Sequence, residues 1–293
     1  LNFGKILKER VINNFIAEYL SGRTPNPCIR CNQFLKFESL FKKAKELSCD
    51  YLATGHYAKV TKSRIRKKYF LKKGKDNNKD QSYFLYSIRK EILPFLLFPL
   101  GNYTKSEVRL MARNFKLPVS DKPGSQDICF VPDGDYREYL LRNAGVKILP
   151  GPIVHIDGRK LGEHKGIPFY TIGQRKALVG GKGEPLYVVK IDNSKNTIVL
   201  GERKHTYSQG LIAESLNFLS IPFLKKTIAI KAKIRYNHRA IKSRLIPIKK
   251  GSVRVEFNKP AKAVTPGQSV VFYSKDVVLG GGIIVESLSA IKG

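Results

Sequence analysis

The residues of this 293-residue chain best equipped for chemistry are cysteines. Cys28 and Cys31 sit in TPNPCIRCN (24–32) and Cys129 in GSQDICF (124–130), three of the four cysteines present. Thiols beside turn residues can carry a persulfide, close a redox disulfide or ligate a metal. Cys28-Ile29-Arg30-Cys31 is the one CxxC, so a four-cysteine zinc site requires Cys49 and Cys129 to converge on it. Cys49 lies between a helical pattern and an apolar strand and reads as a small core residue. Arg30 between the paired thiols, with Arg23 and Lys36 close in sequence, favours thiolate, the nucleophilic form. Cys31-Asn32 stands just before a predicted helix, whose N-terminal dipole acts in the same direction. Asp127 opposes ionisation of Cys129.

Other polar groups cluster at predicted strand and helix ends. ATGHYAKV (53–60) sets Gly55-His56 at the C-terminal end of a short strand, where open α/β sheets bind ligands. In KDQSYFLY (79–86), Lys79 and Gln81 suit phosphate or base edges and Asp80 suits a helix cap. IRYNHRA (234–240) places Arg235 and Tyr236 at a strand exit, a basic aromatic pairing suited to RNA backbone and base stacking. The TPGQS turn (265–269) presents Gln268, able to hydrogen-bond an extruded base. Each of these also fits an ordinary capping, core or solvated role.

The elements that must position these groups change character along the chain. Residues 5–20 and 34–47 have helical periodicity, and two prolines exclude helix from Thr24–Pro27. Asp50–Ala53 reads as a buried strand. Residues 59–79 hold ten basic residues and one acid and read as a basic-edged hairpin. Residues 80–98 read as helix again, and Thr104 with Glu107 begins another through a capping box. Beyond about residue 142 the pattern is β: 153–156, 187–191, 197–200, 228–234, 253–257, 269–273 and 282–285, separated by Asp157-Gly158, Asp192-Asn193 and Pro266-Gly267.

Composition narrows the function class. Lys and Arg number 54 against 23 acids, a net charge of +31, which favours a polyanionic partner, nucleic acid first. No apolar run approaches the ~20 residues of a membrane span. Four cysteines do not make a disulfide framework, which points to a reducing compartment. Leu1 in place of Met reads as the start of a fragment or processed product.

Taken in order, the segments Asn2-Phe3, GRTPNPCIRCN, Lys36-Phe37, DYLATGHY, KDQSYFLY, DICF, GEHKGIPFYTIGQRKAL, RYNHR, VTPGQSVVFY and LGGGIIVE resemble the tRNA-specific 2-thiouridylases. The resemblance implies 2-thiolation of the wobble uridine of tRNAs for Lys, Glu and Gln. ATP with Mg2+ adenylates the 2-oxygen, and a cysteine persulfide, loaded by a sulfur-donor protein, supplies sulfur. Carried over by motif, Cys31 is the nucleophile and Cys129 the persulfide carrier. Gly55 touches ATP, and Asn26, Pro27 and Cys28 face the target base. His56, Lys79, Asp80, Gln81, Arg235, Tyr236 and Gln268 contact tRNA. The implied protein is a cytoplasmic monomer.

The implied fold is α/β plus β. An incomplete Rossmann-like adenine-nucleotide-binding lobe spans 1–142, a small central β-rich domain 143–206, and a C-terminal tRNA-binding β-barrel 207–293. Two departures qualify the resemblance. Cys28 stands where many family members have Asp, so Cys28, Cys31 and Cys129 offer a [4Fe–4S] alternative with an open iron. The Ser-Gly-Gly-x-Asp-Ser pyrophosphate loop is absent from the sequence, so an N-terminally truncated chain that does not adenylate tRNA alone is expected. A non-catalytic basic RNA-binding remnant is the rival outside enzymology.

Overall fold

The computed structural model describes residues 1–63, 65, 68–121, 128–132, 134–175, 185–249 and 251–289. Its first element, α1 (4–20), runs through Gly4–Leu7, a π-wound Lys8–Ile12 and Asn13–Leu20, and buries Val11, Phe15 and Tyr19. Helix α2 (27–46) begins at Pro27. There the missing N–H costs nothing and φ is already helical, while Asn26 Oδ1 accepts from Ile29 N at 3.3 Å. The prolines therefore start this helix seven residues before the predicted position. Its middle, Cys31–Leu40, is π-wound.

Strands β1 (Leu52–Ala53), β2 (Ala58–Lys62), β3 (Tyr69–Lys73) and β4 (Leu96–Leu97) follow. β1 and β4 pair in parallel over two residues each, and β2 and β3 form the expected hairpin. Residues 80–98 are not a helix. They hold two 3₁₀ turns, Ser82–Leu85 and Lys90–Phe95, and then β4. The backbone carbonyls of Tyr86 and Ile88 both accept from Asn217 Nδ2, at 2.6 and 2.8 Å, and so are unavailable to a helical ladder. Helix α3 (Lys105–Asn114) carries the expected capping box, and α4 (Tyr136–Asn143) closes the lobe.

The remainder is β. Strands β5 (Gly151–His155), β6 (Lys160–His164), β7 (Tyr187–Asp192) and β8 (Thr197–Gly201) make a sheet of order β6-β5-β8-β7, with β5 and β8 parallel. Strands β9 (Tyr207–Phe218), β10 (Ile228–Lys233), β11 (Ile241–Lys249), β12 (Ser252–Lys262), β13 (Ser269–Ser274) and β14 (Val277–Ser289) close into a six-stranded barrel through the β13–β14 pairing. Closure removes the exposed edges an open sheet would present. The β2–β3 hairpin extends the same sheet where Val277 pairs Lys72.

Period-two alternation in β13 explains how barrel and lobe share a core. Val270 and Phe272 point into the barrel. Val271 and Tyr273 point outward into a second cluster with Ile29 and Phe37 of α2 and Tyr83, Leu85 and Tyr86 of the turn segment. The helix that carries the paired thiols is thus packed directly on the barrel's outer wall.

Candidate active site

Packed neighbours present the thiols, fully buried on both sides of Cys28 and half-buried on both sides of Cys129. Pro27 and Ile29 are buried while Cys28 between them is exposed, and Cys31 lies one turn on along the same helix. Ile128 and Phe130 pack on the Phe15–Leu140 cluster, Phe130 edge-on to Phe15 at 5.3 Å, and Cys129 between them is turned outward. The structure brings Cys28, Cys31 and Cys129 within electrostatic reach of one another. Cys49 is exposed at the end of α2 and not in the core, because the apolar strand it precedes is only two residues long. Asp127 and Gly124-Ser125 lie outside the described residues.

The electrostatics differ from the expected cationic cradle. Arg30 turns away: its Nε donates to Arg10 O at 2.8 Å and its guanidinium lies 4.9 Å from the Phe34 ring centroid. Cys31 lies inside α2, one turn past its start, so the helix N-terminus favours Cys28 more than Cys31. Burial raises the Cys31 thiol, Lys36 pulls it down, and Cys129 adds to the rise. Although the residue is exposed at the surface, desolvation by the protein packed around its thiol also raises Cys28, with Cys129 and Cys31 adding to it and Lys36 opposing. Lys36 is therefore the cation of the thiol site. Among the described residues, no three His, Cys, Asp or Glu side chains are placed to hold a metal ion.

The loop before α2 is braced by the barrel. Thr24 N donates to Pro266 O at 2.9 Å, and Gln268 Nε2 donates to the carbonyls of Thr24 and Pro25 at 3.0 and 3.1 Å. Gly267, at φ +91°, lies so close that a Cβ would come within 2.8 Å of Thr24 N. Both N–H groups of the Gln268 amide can thus be spent inside the protein, and the side chain braces a loop where a base contact was expected. Arg235 is likewise turned inward, donating to Ile172 O at 3.2 Å and to Thr265 Oγ1, so it ties the central sheet region to the barrel.

The remaining sequence candidates divide. Gly55 is exposed beyond β1, with its backbone open to a ligand. His56 is buried between Phe37 and Phe98 and shares a hydrogen bond with Thr54 Oγ1 at 2.7 Å. Burial first, and Lys36 second, push its pKa down to about 4, so it is neutral at pH 7 and cannot serve as a phosphate cation. Asp80 is buried and accepts from Gly74 N, Ser82 N and Ser82 Oγ at 3.1, 3.1 and 3.0 Å, an internal hydrogen-bonding role. Gln81 Oε1 accepts from Tyr57 N at 2.9 Å, while Lys79 is exposed. Tyr236 packs on Phe84 at 4.5 Å, with Lys233 5.3 Å from its ring centroid. Around it a cleft of about 490 Å³ is lined by Lys73, Lys231, Lys233, His238 and Arg239. Asn32, missed in sequence as more than part of a motif, is buried and donates from Nδ2 to Phe84 O at 3.1 Å, tying the thiol helix to that cleft wall.

An α/β lobe with paired thiols, a small β sheet and a closed barrel make a three-part architecture, and comparison with known proteins matches each part. Residues 1–133 match the tRNA methyl transferase HUP domain, 137–202 the tRNA methyl transferase PRC-barrel domain, and 208–284 the Aminomethyltransferase beta-barrel domain. The chain is 50% identical to the tRNA-specific 2-thiouridylase MnmA of Natranaerobius thermophilus, over 98% of this chain and 78% of that protein. It is 50% identical to the protein of that name in Acetivibrio thermocellus, over 97% and 79%. The Halothermothrix orenii relative is 49% identical over 98% and 80%. The chain belongs to the tRNA-specific 2-thiouridylase family. No helix among the described residues is long and apolar enough to cross a membrane.

Proposed function

We propose that this protein transfers sulfur to the 2-carbon of a tRNA uridine, with Cys129 carrying a persulfide and Cys31 releasing the sulfur. The supporting observation is that Cys31 and Cys129, 98 positions apart by their numbers, one beside buried Asn32 and the other between half-buried Ile128 and Phe130, lie within electrostatic reach of each other. The terminal sulfur of the Cys129 persulfide attacks the uridine C2, and the activated oxygen leaves. The Cys31 thiolate then attacks Cys129 Sγ. The Sγ–S bond breaks, its electron pair stays with the sulfur on C2, and a Cys31–Cys129 disulfide remains. ATP, when bound, supplies the activation of the 2-oxygen as a leaving group, and exposed Gly55 at the strand end fits contact with its adenosine. Asn26 and Pro27 hold the first turn of the thiol helix, and Cys28 there faces the incoming base. A persulfide-bearing donor protein would reload Cys129. The cleft around Tyr236, with Lys79 beside it, would take the tRNA backbone, and the +31 charge would make binding steeply salt-dependent.

The test is 2-thiouridine formation on a tRNA substrate with ATP, Mg2+ and a persulfide donor, read by retardation in mercury-containing gels. C31S and C129S should each abolish the product, and C49S should not. Peptide mass spectrometry should find the added sulfur on Cys129 and, in the absence of reductant after turnover, a Cys31–Cys129 disulfide. Product formation by C129S, or persulfide confined to Cys28, would overturn this reading.

A further inference from the structure

We infer that Lys36 is a positioning residue of the thiol site, its ammonium holding the anionic sulfur of Cys31 in place for attack. The inference rests on the proposed role of Cys31 and starts from helix geometry. In an α-helix, residues five apart point about 140° away from one another. In α2 the winding changes at Cys31: the Cys31–Leu40 stretch is π-wound, and the wider i→i+5 turn narrows the angle between residues five apart to about 50°. Lys36 is five residues after Cys31, so this winding carries its side chain onto the thiol face. Such stretches recur at functional sites, where local helix stability is given up for side-chain placement.

The neighbours agree. Phe37 is fully buried and touches the His56 ring at 5.8 Å, which fixes the rotation of this turn against the β1 end of the lobe. Lys36 is half-buried, and no acid or hydrogen-bond partner is found for it among the described residues. The groups that feel it are Cys28, Cys31 and His56. A half-buried ammonium without a counter-ion is available to pair with an arriving anion. Thiolate on Cys31, or persulfide sulfur delivered from Cys129, is the anion this site provides. Arg30, the nearer cation in sequence, is committed to Arg10 O and Phe34.

The test needs neither tRNA nor ATP. Iodoacetamide alkylation of Cys31 in the whole protein, resolved by peptide mass spectrometry across pH, reports the thiolate fraction. K36M should slow Cys31 alkylation at about pH 7.5 roughly three- to tenfold and move its pH midpoint up. K36R should restore the wild-type profile, and K42M, which removes an exposed lysine of the same helix, should leave it unchanged. The His56 imidazole should titrate above its value of about 4 in K36M, read by NMR. If K36M fails to fold, K36Q takes its place. An unchanged Cys31 profile in the folded variant, or equal slowing in K42M, overturns the inference. Thiolation by C31S would instead overturn the reading of Cys31 as nucleophile while leaving the alkylation result standing, so the two failures are distinguishable.

Discussion

The barrel and the thiol-bearing lobe hold their side chains in opposite ways. In the barrel, Leu211, Ala213, Leu245, Val255, Val270, Phe272 and Ile284 are all 0% exposed inside a sheet that closes on itself. In the lobe, the parallel pair is two residues long on each strand, Leu97 and Tyr51 are 45% and 57% exposed, and α3 buries no residue. The chemistry sits on the thinner region and borrows rigidity from the thicker one. Val271 and Tyr273 pack behind α2, and the 265–268 turn grips Thr24 and Pro25. The proposed function asks this site to admit a nucleotide, a tRNA and a donor protein, which needs open surroundings, and a wall built elsewhere keeps its geometry.

The largest expected effect breaks the wall. F272A removes a fully buried ring from the barrel interior and should cost about 3–5 kcal/mol in urea unfolding, whereas L97A in the exposed parallel pair should stay within about 0.5 kcal/mol. Equal losses would show that lobe and barrel are not differently packed.

Next is pH. The folded-state pKa of His56, about 4, lies below the ordinary histidine value of 6.5. Between these values the unfolded chain binds a proton that the folded chain refuses. Stability is therefore full above about pH 6.5 and falls as pH drops toward 4. The window corresponds to roughly 3 kcal/mol for this buried ring. H56Q should flatten that slope in denaturant titrations at stepped pH, and an unaltered slope would assign the acid sensitivity to another group.

These two effects show what could be read from the chain alone. Thr104 and Glu107 announce α3, whereas Cys28 and Cys31 read as lying before a helix that in fact carries both. Residues 80–98 look helical because Tyr83, Phe84 and Tyr86 suit a core helix. In fact Tyr83 Oη donates to Ser269 O, Tyr86 Oη bonds Ser269 Oγ, and Asn217 takes two carbonyls, so distant partners override local propensity. β9 and β11 escape a period-two reading because Ser215 sits at φ +51° and a register shift follows Pro247. Gln268, Arg235 and Asp80 look like surface polar groups, and only the assembled fold shows carbonyls and amides of remote loops waiting for them. Lys36 is close to the thiols in sequence, but α-helical spacing would put it on another face of the helix, and the π winding brings it nearer.

Gln268 sharpens the comparison at the junction itself. Q268A leaves the Thr24 and Pro25 carbonyls without their donor and should cost about 1–2 kcal/mol. Hydrogen exchange should rise at residues 23–29 while barrel strands stay protected. The salt dependence of tRNA binding should not change, because no phosphate contact is lost. A shallower salt slope with unaltered exchange at 23–29 would place Gln268 on the RNA and dismiss the brace.

The smallest effect tests the lobe's independence. α3 contributes no buried side chain, so its persistence depends on its cap. Thr104 Oγ1 accepts from Glu107 N at 3.3 Å, and Glu107 Oε2 accepts from Thr104 N at 2.5 Å. T104A removes half of that reciprocal pair, a loss of about 1 kcal/mol. If the lobe opens locally, amide exchange should quicken across 105–114 and leave β9–β14 untouched, with little change in the global unfolding midpoint. If T104A instead lowers the midpoint of the whole molecule by that full amount, α3 is part of the cooperative core, and the thin region is more tightly coupled to the barrel than its burial implies.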